Sequence, residues 1–181
     1  MFSKKNILTF ILTLCILASF ALFLYLSPPS SSSVYKDDPT TTFKGDTPIT
    51  LTTIHGENIA ISDLKNKVLL VNFWATWCPP CRVEIPELIQ LKESLADQNF
   101  EILGISADDD HDIVLQFSKS ASFNYPIVML DHFLYNTFGP ATSIPTSILV
   151  DKNFTIKRVF RGYRSSEEIR PSILQLLNRD S

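Results

Sequence analysis

Cysteine is scarce in this chain of 181 residues, and the positions of its three copies limit the chemistry available to it. Cys78 and Cys81 are separated by two residues, whereas Cys15 lies alone in an apolar N-terminal run. Three cysteines are too few for a disulfide-rich secreted scaffold, and a structural zinc site normally takes four ligands. A haem attachment motif requires a histidine directly after its second cysteine, where this chain has Arg82. The Cys78–Cys81 pair is therefore interpreted as a redox pair that can close a small disulfide.

Runs of basic residues and histidine motifs are also missing. The chain has 16 Lys and Arg against 19 Asp and Glu, a net charge of −3, and no cluster of Lys or Arg stands out. Nucleic acid is therefore not expected as a partner. The acidic run at 108–110 lacks the Gly and Glu positions of an EF-hand loop. The histidines show no metal-ligand spacing, so no metal and no cofactor are expected; they are His55, His111 and His132.

Charge is absent from Ile7 to Leu26, a run of twenty consecutive residues. That length matches the roughly 20 apolar residues that cross a bilayer as a helix. Lys4 and Lys5 precede the run, so the positive-inside rule predicts residues 1–6 in the cytoplasm and the rest of the chain outside it. A cleavable signal peptide is the alternative. The apolar run continues beyond a small-X-small site at 19–21, which favours an uncleaved signal-anchor.

The next stretch, residues 27–42, is rich in Pro, Ser, Thr and Asp. Such a composition predicts an extended linker. It would connect a single-pass anchor in the inner (cytoplasmic) membrane to a folded domain, residues 43–181, on the periplasmic or extracytoplasmic side. Thiols tend to be oxidised there. A reductant in that compartment must be recharged by another protein, so a transmembrane thiol electron donor is the expected partner.

The apolar stretches of the folded domain converge on the cysteine pair. Val68 to Trp74 is a continuous β-branched and aromatic run, which predicts a strand buried on both faces. Pro79 and Pro80 suit the first turn of a helix, because proline lacks the N–H that would have no partner there. A helix that begins here places Cys78 at its N-terminus and at the exposed end of the strand, where the helix dipole lowers the thiol pKa below about 8.5. Cys81, one turn further on, is then the shielded resolving thiol.

Alternating polarity and turn residues predict the other elements of the domain. A β-hairpin is expected over 49–53 and 59–61, with a short turn at 62–64. It is followed by a strand at 100–107, a helix at about 112–119, a strand at 125–130, and a short helix at 132–138 capped by Asp131. An antiparallel pair at 146–150 and 154–161 then leads to a final helix, which starts with a Ser165–Glu168 capping box and ends near Leu177.

Three segments of the chain resemble one known family. Phe73 to Cys81, FWATWCPPC, is similar to the active-site segment of thioredoxin-fold proteins, and of the membrane-anchored TlpA-like and ResA-like group in particular. Ile59 to Lys67 resembles that group's SLSDLKGK lead-in, and Ser143 to Thr146 resembles its cis-proline loop. The resemblance covers about residues 43–178 and implies an AhpC/TSA-Redoxin-like domain. The expected architecture is an α/β thioredoxin fold with an N-terminal β-hairpin and an inserted strand–helix segment, preceded by one transmembrane helix.

The resemblance also implies roles for residues around the cysteine pair. Pro145 would be cis and face the cysteines. The backbone of Ile144 would pair with a bound partner strand, which is a form of β-augmentation. Trp77 would shield the disulfide and contact the partner. Contacts with the substrate are expected from Trp77, Pro79, Pro80, Ile144 and Thr146.

Two polar positions differ from ordinary thioredoxins. The buried Asp of that family is Asn72 here, so its proton acceptor for the resolving cysteine is absent. Alignment with a ResA-like sequence places that group's active-site Glu at Asp109, which could accept the proton of Cys81 as a general base. The alternative is a solvated carboxylate at a helix start. Glu84, one turn beyond the motif, could tune the site but is expected on a solvated helix face.

These features predict a thiol-disulfide oxidoreductase in which Cys78 is the nucleophile and Cys81 the resolving thiol. Pro79 and Pro80 offer no N–H to the Cys78 sulfur. Its thiolate should therefore be less stabilised than in strong oxidants, which favours a reductant. The clients that the resemblance implies are secreted proteins, among them the haem-site thiols of apocytochrome c.

The same fold could also carry other functions. An oxidase or isomerase of secreted disulfides would use the same residues and stays open as the alternative enzyme. A copper chaperone would resemble a motif with three residues between its cysteines and a distant C-terminal His; here two residues intervene, and no His follows His132. A peroxidase of the peroxiredoxin type would need Thr or Ser three residues before the reactive cysteine, where this chain has Ala75.

Overall fold

The computed structural model describes residues 49–139 and 143–178. The predicted cytoplasmic segment (1–6), membrane anchor (7–26) and linker (27–42) lie outside these ranges. Among the residues that are described, no helix has the length and apolar character needed to cross a bilayer. The ranges fall within the folded domain that was predicted to follow the linker.

The described residues form seven strands and four α-helices. In chain order these elements are β1 (Thr50–Thr52), β2 (Asn58–Ala60), a 3₁₀-helix (Ile61–Leu64), β3 (Val68–Trp74), α1 (Pro79–Ser94), β4 (Phe100–Ser106), α2 (His111–Ala121), β5 (Ile127–Met129), α3 (His132–Phe138), β6 (Thr146–Val150), β7 (Ile156–Arg161) and α4 (Ser166–Leu177).

Five of the strands make one mixed sheet in the order β5-β4-β3-β6-β7, with β3 at its centre. Strands β3, β4 and β5 are parallel, whereas β6 and β7 pair antiparallel to their neighbours. Strands β1 and β2 form a separate two-stranded sheet, and the bridge between Thr53 and Val128 joins its end to β5. Because β3, β4 and β5 run the same way, they end at one edge of the sheet. Helices α1, α2 and α3 follow from that edge.

Every residue of β3 is buried, as its continuous apolar run predicts for a strand covered on both faces. Successive side chains of a strand point to opposite faces, so β3 contributes to two hydrophobic clusters. Leu70 belongs to the cluster that contains Leu88 of α1 and Ile173 of α4. Val71 belongs to the other cluster, with Leu134 of α3. The strand that leads to the cysteine pair is thus anchored from both sides.

The predicted elements appear in the predicted order, and two predicted caps are confirmed. Asp131 accepts a hydrogen bond from the Leu134 N–H at 2.7 Å at the start of α3. Ser165 and Glu168 form the capping box of α4, which ends at Leu177 as predicted. Local side-chain chemistry therefore sets these helix starts correctly.

The differences lie at element boundaries. The strand predicted at 125–130 is shorter, Ile127–Met129, and the strand predicted at 100–107 ends at Ser106. Helix α2 is longer than predicted, because Asp110 caps it through the amides of Asp112 and Ile113. Strand β7 begins at Ile156 rather than at Phe154. Phe154 has a φ of 58°, in the left-handed region that belongs to a turn rather than a strand.

Candidate active site

Cys78 and Cys81 form a disulfide, with their Cα atoms 5.3 Å apart. Cys78 occupies the N-cap position of α1, and Pro79 and Pro80 open the helix as predicted. The Cys81 N–H donates to Cys78 Sγ at 3.3 Å. The two prolines have no N–H, so in this first turn Cys81 supplies the backbone donor to the sulfur.

The sulfur pair is more recessed than predicted. Cys78 is only 3 % exposed, although the sequence placed it at the exposed end of the strand. Both cysteines belong to the main hydrophobic cluster, against which Ile144 of the proline loop packs. Trp77, by contrast, is 66 % exposed, and the prolines at 79–80 are exposed too. A client therefore meets these flanking side chains before it reaches the sulfurs.

The Ile144–Pro145 peptide bond is cis, as the resemblance implied. The bond directly precedes β6, whose first residue, Thr146, lies opposite Phe73 near the end of β3. The cysteine pair follows the end of β3. The proline loop and the cysteines are therefore at the same edge of the sheet, as a dithiol site of this kind requires.

Backbone and side-chain hydrogen bonds hold the proline loop. The Gly162 N–H donates to the Pro145 carbonyl at 2.8 Å, and Thr146 Oγ1 donates to the Ser143 carbonyl at 2.6 Å. Thr146 is buried and its hydroxyl is engaged inside the loop. Ile144 is half-buried. Of the two predicted contact residues in this loop, Ile144 is thus the more accessible to a client.

Glu84 is buried, which corrects the prediction that it lies on a solvated helix face: it is 1 % exposed. The buried stripe of α1 runs through Cys81, Glu84, Ile85 and Leu88. Spacings of three and four residues put these side chains on one helix face. Glu84 therefore faces the sheet, one turn beyond the resolving cysteine.

Two hydrogen-bond donors bind the Glu84 carboxylate. Asn72 Nδ2 donates to Glu84 Oε2 at 2.9 Å and to Ser147 Oγ at 2.9 Å, and the Arg164 N–H donates to Glu84 Oε1 at 3.3 Å. Burial outweighs these hydrogen bonds and raises the pKa of Glu84 from its ordinary value of 4.5 to about 7. Although Asn72 replaces the buried aspartate of ordinary thioredoxins, this region still contains a carboxylate. Asn72 binds this carboxylate, which α1 supplies.

Two features of the sequence could have located Glu84. It follows Cys81 by three residues, which is the spacing of one helix face. Asn72 interrupts an otherwise apolar central strand, and a buried amide requires hydrogen-bonding partners. Together these features call for a polar side chain on the face of α1 that covers Asn72.

The acidic run after β4 separates into residues with different environments. Asp109, the predicted proton acceptor, is exposed, and its role stays a prediction. Asp108 is 9 % exposed, and its carboxylate accepts hydrogen bonds from the Thr76 N–H (2.9 Å), Thr76 Oγ1 (2.6 Å) and Ser106 Oγ (2.7 Å). Thr76 precedes Asp108 by 32 residues. No local sequence pattern links them, so sequence reasoning missed this contact.

The histidines are not gathered at the cysteine pair. His111 Nε2 lies 3.0 Å from the Ile54 carbonyl and joins α2 to the turn after β1, while His55 and His132 are exposed. Within 49–139 and 143–178, no group of three or more His, Cys, Asp or Glu side chains is arranged to hold a metal ion.

Comparisons with known proteins show which family this chain is similar to. The model of the AhpC/TSA family matches residues 44–169, well over half of the chain. The thiol-disulfide oxidoreductase ResA of Geobacillus kaustophilus is 34% identical over 123 residues, which cover 66% of this chain and 68% of that protein. ResA of Bacillus thuringiensis subsp. konkukian is 28% identical over 172 residues, covering 92% of this chain and 94% of that protein.

Solved structures show the same fold. The crystal structure of a thiol:disulfide interchange protein of the thioredoxin family from Chlorobium tepidum TLS matches with a TM-score of 0.67 at 32% identity, covering 72% of this chain and 93% of that one. The described domain accordingly has a thioredoxin-like α/β fold, with a mixed sheet and four α-helices. With its cysteine pair at the start of α1 beside a cis-proline loop, the chain belongs to the AhpC/TSA family and is a thiol-disulfide oxidoreductase.

Proposed function

We propose that this oxidoreductase is anchored by residues 7–26 in the cytoplasmic membrane and reduces client disulfides on the outer side. The observation that carries the reductive direction is the start of α1, where Cys78 is followed by two prolines. The apolar run of residues 7–26, with two lysines before it, supports the anchor.

The reaction is a two-step exchange of disulfide bonds. The Cys78 thiolate attacks one sulfur of the client disulfide, forms a mixed disulfide and displaces the other client sulfur as a thiolate. The Cys81 thiolate then attacks Cys78 Sγ, closes the Cys78–Cys81 disulfide and releases the second client thiolate. Two electrons pass from the cysteine pair to the client, and the client thiolates take up two protons. A transmembrane thiol donor would restore the dithiol form.

Glu84 is the proposed acceptor of the Cys81 proton. The two residues share the buried face of α1 with a spacing of three residues. A carboxyl group whose pKa is about 7 can hold a proton below neutral pH and accept one above it. This assignment competes with the predicted role of Asp109, which is exposed.

The client-binding surface is proposed to consist of Trp77, the exposed prolines at 79–80 and the backbone of Ile144. Trp77 is the most exposed of the large apolar side chains in the described ranges. A rigid aromatic ring of this kind can supply much of an interface's contact area. An extended client segment next to Ile144 would add a short β-pairing at the edge of the proline loop.

The reductive direction is tested by the standard potential of the Cys78–Cys81 couple, measured by equilibration with glutathione or dithiothreitol. We expect a potential closer to the thioredoxin value of about −270 mV than to the oxidase value. A potential near about −120 mV, as in a strong dithiol oxidase, would overturn the proposed direction. It would favour the alternative function, oxidation or isomerisation of secreted disulfides.

Clients and topology can be tested in the same cells. In a Cys81→Ser variant the resolving step is blocked, so the mixed disulfide on Cys78 should accumulate and its client can be identified. The proposed clients are secreted proteins with disulfides, including the haem-site cysteines of apocytochrome c. A thiol reagent that does not cross the cytoplasmic membrane should label reduced Cys78 in cells whose cytoplasmic membrane is intact. Labelling that requires lysis of the cytoplasmic membrane would contradict the proposed side.

A further inference from the structure

We propose that Asp108 is a positioning residue of the redox centre, which holds Thr76 and thereby orients the link that presents Trp77 and Cys78. The inference deepens the proposed dithiol exchange, since it concerns the same nucleophile. It assigns no direct contact between Asp108 and a sulfur. Asp108 acts through Thr76.

The contact uses both oxygens of a largely buried carboxylate. Asp108 Oδ2 accepts from the Thr76 N–H at 2.9 Å and from Ser106 Oγ at 2.7 Å, and Asp108 Oδ1 accepts from Thr76 Oγ1 at 2.6 Å. Hydrogen bonds to a carboxylate are shorter and stronger than those between neutral groups. A buried carboxylate is costly unless such donors satisfy it. The backbone and the side chain of Thr76 are therefore held together at one point.

Thr76 lies in the middle of the link that joins the central strand to the active-site helix. β3 ends at Trp74, whose carbonyl accepts from the Ala107 N–H at 2.8 Å, and α1 begins at Pro79. The intervening link, residues 75–78, contains a turn in which the Cys78 N–H donates to the Ala75 carbonyl at 3.2 Å. The Asp108 carboxylate ties the centre of this link to the end of β4.

Burial holds the two ends of the link, because Ala75 and Cys78 belong to the main hydrophobic cluster, but it does not hold the middle. Trp77 is 66 % exposed and so contributes little packing that could hold the backbone between Thr76 and Cys78. Without the Asp108 contact, the Thr76 N–H and hydroxyl lose their partner and the turn can reorient. Nucleophilic attack depends on the alignment of the reacting atoms, so a looser turn should slow exchange at Cys78.

The test compares variants that remove this contact in steps, in the full-length protein. Asp108→Ala removes the whole acceptor, Thr76→Val removes only the hydroxyl at nearly constant shape, and Thr76→Ser keeps the hydroxyl. Asp97→Ala is the matched control, because Asp97 is exposed in the loop at the far end of β4. Each reduced protein is reacted with 5,5′-dithiobis(2-nitrobenzoic acid) and with a disulfide-bonded Cys-X-X-Cys peptide. Circular dichroism confirms that each variant is folded at the assay temperature.

We expect Asp108→Ala to slow reduction of the peptide about tenfold and Thr76→Val about threefold, because misalignment of a nucleophile is costly. Thr76→Ser and Asp97→Ala should react at the wild-type rate. In Thr76→Val, which changes no charge, the pH at which Cys78 becomes reactive should rise, since the sulfur is less well held at the helix N-terminus. The Asp108→Ala/Thr76→Val double variant should be no slower than Asp108→Ala alone, because both changes break one contact.

Two results would overturn the proposal: folded Asp108→Ala and Thr76→Val proteins that react at the wild-type rate, or losses that add independently in the double variant. If Asp108→Ala does not fold, the comparison of Thr76→Val with Thr76→Ser decides the question. The two reactions of the wild-type protein distinguish a failure of this proposal from a failure of the proposed function. A wild-type protein that reacts with 5,5′-dithiobis(2-nitrobenzoic acid) but does not reduce the peptide would count against the proposed function. The rates of the variants with 5,5′-dithiobis(2-nitrobenzoic acid), relative to the wild-type rate, would still test the role of Asp108.

Discussion

Two largely buried carboxylates, Glu84 and Asp108, lie in different environments in this domain. Asp108, at the end of β4, accepts three hydrogen bonds from Thr76 and Ser106. Glu84, on α1, accepts from one amide side chain and from one backbone N–H at the longer distance of 3.3 Å, and burial raises its pKa to about 7. The difference indicates that the two carboxylates have different roles. The well-satisfied carboxylate holds a backbone link in place, and the poorly satisfied one is suited to gain and lose a proton.

Both carboxylates matter to the reaction only if the cysteine pair is the reacting centre, which substitution of the cysteines tests directly. Cys78→Ser should abolish reduction of a disulfide peptide, because no thiolate is left to attack it. Cys81→Ser should still attack but stop at the mixed disulfide. Cys15→Ser, which changes the cysteine outside the pair, should match the wild type. Turnover by Cys78→Ser would contradict the mechanism.

Glu84→Gln tests whether Glu84 accepts the proton of Cys81. The amide keeps an oxygen for the Asn72 hydrogen bond but cannot accept a proton. If Glu84 is the general base, the wild-type rate should rise as the pH passes through about 7, where Glu84 ionises. The variant should lose that rise and react more slowly at pH 8, by about a hundredfold for a general base.

Stopped-flow measurement of the resolving step across pH 5 to 9 gives the profile for this test. Glu93→Gln, at an exposed position of the same helix, is the control and should retain the wild-type profile. A rise that persists unchanged in Glu84→Gln would show that another group takes the proton.

The raised pKa of Glu84 also predicts how the free energy of unfolding depends on pH. Burial raises the pKa of folded Glu84 from 4.5 to about 7, so between these values the folded protein binds more protons than the unfolded chain. Stability therefore falls as the pH rises through this window, by at most about 3 kcal/mol from this group. Glu84→Gln should remove that component. Urea unfolding of the oxidised proteins at pH 4.5 and 8 measures the difference, and an equal pH dependence in both proteins would refute it.

Asp109→Asn tests whether the exposed carboxylate, rather than Glu84, accepts the Cys81 proton. Asp109 is next to Asp108 in sequence but exposed, so its substitution should change the pH–rate profile less than Glu84→Gln does. Stopped-flow profiles of the two variants decide between the carboxylates. A shift in Asp109→Asn that equals or exceeds that of Glu84→Gln would assign the Cys81 proton to Asp109 instead.

Local sequence patterns were sufficient where a short segment decides its own structure. The apolar run of β3, the prolines after Cys78 and the caps at Asp131 and Ser165 each act within a few residues, and all are found as predicted. The cis-proline was predictable too, but only from resemblance, because an X-Pro bond is cis in about 5–6% of cases by default.

The redox pair, its place at a helix start and the order of strands and helices could all be predicted from the amino-acid sequence, because hydrophobic periodicity and capping are local properties. The environments of Glu84 and Asp108, in contrast, depend on how the helices and strands pack together. Glu84 is buried because the face of α1 that carries it packs on the sheet over Asn72, and Asp108 meets Thr76 because β4 lies parallel to β3. Both contacts join residues far apart in the chain, so their energies depend on packing that no short segment encodes.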